Sequence, residues 1–107
     1  MESRKSILRE KSYAFALRIV KLNRHLTQNQ KEFVLSKQVL RSGTSIGANI
    51  CEAAQAQSKL DFIHKLPVSL KEAFETEYWL NLLSDSDLIS KPQAESLLTD
   101  CRDCRRY

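Results

Sequence analysis

The residues able to do chemistry fall into three groups. Glu72 and Glu75 lie about one helical turn apart, with Thr76 and Trp79 beside them and Arg41 and Asn49 as polar candidates upstream. Paired carboxylates suit general acid–base work, in which one carboxyl holds a proton that the other lacks. That chemistry needs a neighbour to drive their pKa values apart, and no His or metal-ligand spacing accompanies them. They are therefore expected to be structural, with Glu75 or Glu72 pairing with Arg41. Cys101-Arg102-Asp103-Cys104 has the Cys-x-x-Cys spacing seen in zinc and redox sites. A zinc site wants four ligands, yet the third cysteine is Cys51, and His25 and His64 stand far apart. The thiols are expected to be structural, with Cys51 a small buried residue. No catalytic residue, metal or cofactor is expected, and the chain does not read as an enzyme.

The third group is cationic. The net charge is +4, and it is unevenly spread. Residues 1–28 carry seven basic groups (Arg4, Lys5, Arg9, Lys11, Arg18, Lys21, Arg24) against Glu2 and Glu10, while the remainder holds ten basic and eleven acidic groups. Arg4, Lys11, Arg18 and His25 recur every seven residues, which on a helix makes a basic edge, with Lys21 and Arg24 nearby. One reading is a surface for a polyanion. The other is a solvated helix face.

The elements that must position these groups are helices. Two Gly and two Pro in 107 residues leave little material for hairpins, and the length suits one domain spanning 1–107. Helix 1 is expected from about Ser3 to Leu26, with Leu8, Phe15, Ile19, Leu22 and Leu26 as its core stripe. Tyr13, Ala16, Leu17 and Val20 form a second apolar face, open to a neighbouring subunit. After a turn at residues 27–30, helix 2 is expected over about Gln30–Gln57, with Phe33, Leu40, Ile46, Ile50 and Ala53 inward. Ser58 caps helix 3, with Asp61 at the box position. Helix 3 runs to about Leu83 on a stripe of Ile63, Leu66, Leu70, Phe74 (or Ala73) and Leu80. Pro67 is expected to bend it without ending it. Ser90 caps helix 4, which has Pro92 in its first turn and ends near Arg105.

Helix 2 holds the segment around which the chain is organised, residues 38–54. Gly43 and Gly47 each cost a helix about 1 kcal/mol relative to Ala, and they share a face with Cys51 and Ala54. A run of small residues lets another backbone come close. Arg41, Ser45, Asn49 and Glu52 form a polar stripe beside it. Two readings stand: a tight helix crossing with its polar stripe in water, or a buried polar seam. No stretch approaches the roughly 20 apolar residues of a membrane span. The charged start lacks the apolar core of a signal peptide, so a cytoplasmic protein without membrane contact is expected.

Arg41-Ser42-Gly43-Thr44-Ser45-Ile46-Gly47-Ala48-Asn49-Ile50, followed by Glu52-Ala53, resembles the signature of the four-helix-bundle proteins encoded in intervening sequences of bacterial 23S ribosomal RNA genes. Ser58, Asp61-Phe62-Ile63, Lys71-Glu72-Ala73 and Glu75-Thr76-Glu77-Tyr78-Trp79-Leu80 carry the second half of the match. Phe15-Ala16 and Gln38 also fit. Helix 4 matches more loosely, and the chain is shorter than the family pattern at that end. The resemblance implies an all-α, antiparallel up-down four-helix bundle assembled into a homo-oligomeric ring, typically a pentamer. The chain is also similar to the accessory variability proteins of diversity-generating retroelements, pentameric bundles that bind nucleic acid and a reverse transcriptase. No catalytic residues come with the family. Arg41, Ser42, Gly43, Ser45, Gly47, Asn49, Glu52, Glu72, Glu75 and Trp79 are then structural or interface positions. The functional expectation is a ring that binds nucleic acid, RNA being favoured by the genomic setting, through Arg4, Lys11, Arg18, Lys21, Arg24 and His25. The alternative is a protein-interaction and assembly scaffold that binds no nucleic acid.

Overall fold

Three of the four helices begin where a serine can hold the first free amides. The computed structural model describes residues 3–106; Glu2, counted in the charge above, lies outside them. The helices are α1 (Arg4–Gln28), α2 (Leu35–Ala54), α3 (Lys59–Asp85) and α4 (Lys91–Asp103), with no strand among the described residues. The hydroxyls of Ser3, Ser58 and Ser90 accept from the backbone N–H groups of Ser6, Asp61 and Gln93 respectively. Each such cap typically contributes about 1 kcal/mol. Pro67 lies inside α3, which continues past it to Asp85. The amide missing at Pro67 would have served the carbonyl of Ile63, and residue 63 is exposed, where water can take its place.

Helix α2 starts later than the periodicity suggests. The loop after α1 holds Lys31 in the left-handed region at φ 55°, and Val34 at the helix boundary supplies no side-chain cap. Glu32 supplies it instead. Its carboxylate accepts from the backbone N–H of Val34 (3.2 Å), Leu35 (3.1 Å) and Ser36 (2.7 Å). Glu32 therefore stabilises the turn that ends the loop, and residues 30–34 are not helical. Phe33, expected in the core, is 62% exposed for the same reason.

One buried cluster draws side chains from all four helices. From α1 it takes Leu8, Phe15, Ile19, Leu22 and Leu26, as the stripe predicts. From α2 come Val39, Ile46, Ile50 and Ala53. In α3 the inward face is Phe62, Ser69, Ala73, Thr76, Leu80 and Leu83, so the expected stripe is corrected. Ile63, Leu70 and Phe74 remain 40–52% exposed, while Leu66 is partly buried against the core. Two polar residues, Ser69 and Thr76, occupy core positions, and an apolar periodicity skips them. Both are satisfied: Ser69 Oγ donates to the Ile46 carbonyl (3.0 Å), and Thr76 Oγ1 donates to the Glu72 carbonyl (2.8 Å).

The glycines of α2 face α1. A Cβ added at Gly43 would lie 2.8 and 2.9 Å from Cγ1 and Cγ2 of Ile19, and one at Gly47 would lie 3.3 Å from the Ser12 backbone oxygen. Ile19 is fully buried and cannot swing away. The small-residue face is thus a helix crossing over its first two positions only, because Cys51 is exposed rather than buried.

Gly43→Ala is expected to lower stability by about 1–3 kcal/mol, since overpacking outweighs its gain in helix propensity. Gly47→Leu should cost more, because its neighbour is backbone. Urea unfolding followed by circular dichroism measures both, and unchanged midpoints would refute the close crossing.

Burial pushes the Glu32 carboxyl up, but three backbone amides and the Ser36 hydroxyl outweigh it and hold the group below its ordinary value. A lowered folded pKa means stability present above the unfolded glutamate value and lost as pH falls through the folded one. Glu32→Gln is therefore expected to flatten part of the acid limb of a stability–pH profile, and an unchanged limb would remove this role.

Candidate nucleic-acid interface

The basic groups of α1 divide by what they touch. Arg4, Lys11, Lys21 and Arg24 are exposed, and none has an ion-pair partner among the described residues. Arg18 is bound: its Nη1 donates to Asp100 Oδ2 at 2.7 Å and to the Ser96 carbonyl at 3.3 Å, and its Nη2 donates to Ser96 Oγ at 3.1 Å. His25 Nδ1 lies 3.2 Å from Asn29 Nδ2. The row at seven-residue spacing therefore follows the side of α1 that meets α4. Lys11 is near enough to Cys104 for its charge to be felt there, Arg18 holds Asp100, and His25 shares a cleft with Gln93. Lys21 lines that cleft as well. From Lys11 to His25 the heptad row thus follows α4, and Arg18 and His25 line the α1–α4 groove.

The polar stripe of α2 meets α3 and is neither fully dry nor fully solvated. Arg41 Nη1 donates to Glu72 Oε2 at 3.2 Å, and Nη2 pairs with Glu75 Oε2. Both expected counter-ions are used at once. Trp79 Nε1 also donates to Glu75 Oε2 at 3.0 Å, which holds the carboxylate between two donors. Beneath them, the buried hydroxyls of Ser42 and Thr76 are hydrogen-bonded at 3.0 Å. Ser45 Oγ donates to the Arg41 carbonyl and Asn49 Nδ2 to the Ser45 carbonyl, so these two tie the helix to itself. Glu52 is exposed. Glu72 and Glu75 are thus engaged by one guanidinium, and Glu75 by an indole as well, an arrangement that fixes the α2–α3 contact.

Glu77 is the residue that sequence reasoning passed over. Its side chain is 14% exposed and faces two arginines of the α4 end. Arg102 Nε donates to Oε1 at 3.2 Å. Arg105 Nε lies 3.0 Å from Oε2 as an ion pair rather than a well-aligned hydrogen bond. The Arg105 guanidinium also sits 4.5 Å above the Phe74 ring, a cation–π contact. Glu77 stands 25 and 28 residues from these arginines, so no local signal points to the pair. Arg102 and Arg105, at the C-terminal end of α4, clamp it to α3.

The Cys-x-x-Cys pair lies under this clamp. Cys101 and Cys104 are buried, and Cys101 Sγ donates to the Ala73 carbonyl at 3.4 Å. Burial pushes both thiols up to about 12, with Glu77 adding to the effect at Cys101 and Asp100 and Asp103 at Cys104. No group of three or more His, Cys, Asp or Glu suited to a metal occurs among the described residues. No helix of the described residues is long and apolar enough to cross a membrane.

The sequence pattern of the family described as "23S rRNA-intervening sequence protein" matches residues 4–107. The chain belongs to that family. A solved structure shares both its sequence and its fold: a protein of unknown function from the S23 ribosomal protein family of Bacteroides thetaiotaomicron VPI-5482. It superposes with a TM-score of 0.91 at 54% identity, covering 96% of this chain and 92% of the other. No curated protein matches. The glycine-bearing segment of α2 and the carboxylate-bearing segment of α3, which carry the family resemblance in sequence, are thus in contact through Arg41, Ser42, Glu72, Glu75 and Thr76.

A thiol reagent at mildly alkaline pH is expected to titrate Cys51 rapidly in the folded protein and Cys101 and Cys104 only on unfolding, since the thiolate is the nucleophile. Glu77→Ala should accelerate the slow class by loosening α4. Fast modification of all three thiols in the unsubstituted protein would contradict this account of the clamp.

Proposed function

We propose that the chain is a non-enzymatic, single-domain RNA-binding protein of the cytoplasm, built as an antiparallel up-down four-helix bundle and assembled into a homo-oligomeric ring, a pentamer. The observation that carries the RNA reading is the unpaired charge of α1. Arg4, Lys11, Lys21 and Arg24 face solvent without acidic partners among the described residues, and Arg18 and His25 lie beside them. Phosphate contacts release counterions, so a ring that repeats this edge would bind with strong salt dependence. The family description names ribosomal RNA, which favours RNA as the polyanion. The up-down arrangement is supported by the order of contacts. Ser12 and Ile19 of α1 meet Gly47 and Gly43 of α2, and Ser42 and Ile46 of α2 meet Thr76 and Ser69 of α3, so positions rise in one helix as they fall in the next.

Assembly is supported by apolar surface left over after the core is filled. Tyr13 and Leu17 on α1 are 66% and 50% exposed, and α3 presents Leu60, Ile63, Val68, Leu70 and Phe74 outward. Two outward apolar faces on different helices suit a head-to-tail contact, which closes into a ring when the rotation permits. The same surplus favours the second reading, an assembly scaffold without nucleic acid. In either case Arg41, Ser42, Gly43, Ser45, Gly47, Asn49, Glu52, Glu72, Glu75 and Trp79 serve structure or assembly.

Filter binding of structured RNA at two salt concentrations is expected to give binding that weakens as salt rises. Light scattering should give a ring-sized particle. Absent binding at low salt, with a protein partner retained after nuclease treatment, would replace the RNA reading with the scaffold. A monodisperse monomer would refute the ring.

A further inference from the structure

We infer that the trough between the second half of α1 and the start of α4 is a phosphate-binding site. This narrows the RNA reading above to particular atoms and rests on that reading for the source of the phosphate. A cleft of about 270 Å³ is lined by Arg18, Lys21, Leu22, His25, Gln93 and Leu97. It adjoins a second cleft of about 360 Å³ that shares His25 and Gln93 and adds Lys91 and Asp87. Cations from two helices therefore meet along one concave surface, with α4 contributing a lysine that the α1 row does not contain.

Each lining group is suited to an oxyanion. Lys21 and Lys91 are exposed and have no acidic partner among the described residues. Arg18 is held in place by Asp100 and Ser96 through three N–H donations. A guanidinium has five N–H donors, so two remain. His25 Nδ1 is engaged by Asn29 Nδ2 at 3.2 Å, which leaves Nε2 as the ring nitrogen free for a ligand. The imidazole thus offers a ring nitrogen to the cleft, and Gln93 adds its carboxamide. The carboxylates facing the trough are Asp100, already engaged by Arg18, and Asp87. Leu22 and Leu97 in the wall reduce access of water and so strengthen the field of the cations. Convergent positive charge and several N–H donors match the charge and acceptor oxygens of a phosphate group. Arg4 and Lys11 belong to the same heptad row but line neither cleft.

Titration with inorganic phosphate, followed by NMR of the two imidazole rings, reads the site directly. His25 is expected to shift saturably, while His64, exposed on α3, stays still. Equal drift of both rings, or none, overturns the inference whatever happens with RNA. Binding of one single-stranded RNA, 5′-phosphorylated or 5′-hydroxyl, then identifies the source: tighter binding of the phosphorylated form means a terminal phosphate, and equal binding means the backbone. Lys21→Gln with Lys91→Gln should weaken RNA binding by about tenfold and lower the salt slope by about 1 per lysine. Neither lysine supports the fold, so circular dichroism should be unchanged. If Arg4→Gln with Lys11→Gln weakens binding more, the trough is not the contact, although RNA binding itself stands. If no RNA binds while His25 still shifts with phosphate, the trough stands and the RNA reading falls.

Discussion

The close crossing of α1 and α2 at Gly43 and Gly47 is the constraint on which the rest of the molecule depends. With Ile19 filling the place of a Cβ at Gly43 and the Ser12 backbone beside Gly47, the two helices approach as closely as their backbones allow. Two glycines in a helix are a standing cost, and burial of Ile19, Ile46 and Ile50 in the shared core offsets it. That approach turns the adjacent side of α2, with Ser42 and Ile46, toward α3. There Ser42 and Thr76 form a buried hydrogen bond, and Arg41 spans two carboxylates.

Charge is divided between clamps and free surface. Arg41 ties α2 to α3, Arg18 ties α1 to α4, and Arg102 with Arg105 ties α4 to α3 through Glu77. These pairs are partly exposed, and such bridges are individually modest. Their value lies in direction. Glu77 and Arg105 are the least exposed of them, and they close the helix that has the smallest apolar contribution to the core. Of the cations left over, Lys21 and Lys91 lie at the trough between α1 and α4, while Arg4, Lys11 and Arg24 lie elsewhere on α1. What remains available to a partner is therefore not the formal charge of the first segment but its residue after the clamps are made.

The apolar residues divide in the same way. Helices α1 and α3 each carry more apolar side chains than one core can take, and the excess lies outward on both. A monomer gains nothing from Tyr13 or Phe74 in water beyond the cation–π contact that Arg105 makes with the Phe74 ring. Contiguous exposed apolar surface on a small protein marks a place where something else binds. An assembly built on these faces would leave the polar ends and the α1–α4 trough free for a ligand.

Much of the architecture was legible in the residues. The core stripe of α1, the serine caps of α3 and α4, the uninterrupted passage of α3 through Pro67, the pairing of Arg41 with Glu72 and Glu75, and the family itself all follow from local pattern, because helix period, capping and short-range charge are written in neighbouring positions. The misreadings share one cause. Ile63, Leu70 and Phe74 form a proper helical stripe, but periodicity finds an apolar face without saying what covers it, and here the core chose the face bearing Ser69 and Thr76. Phe33 and Cys51 were misplaced because periodicity says neither where a helix begins, here Leu35, nor what covers a small-residue face. Glu77 as a clamp, and the meeting of Lys21 and His25 with Gln93 and Lys91, join positions that no local window contains, whereas Glu32 caps amides only two to four places on and was missed within reach. Sequence by itself determined that there would be four helices and which residues could pair; the tertiary structure alone decided which apolar faces close, which cations are consumed and which remain to act, because those outcomes depend on distances between helices that no single helix encodes.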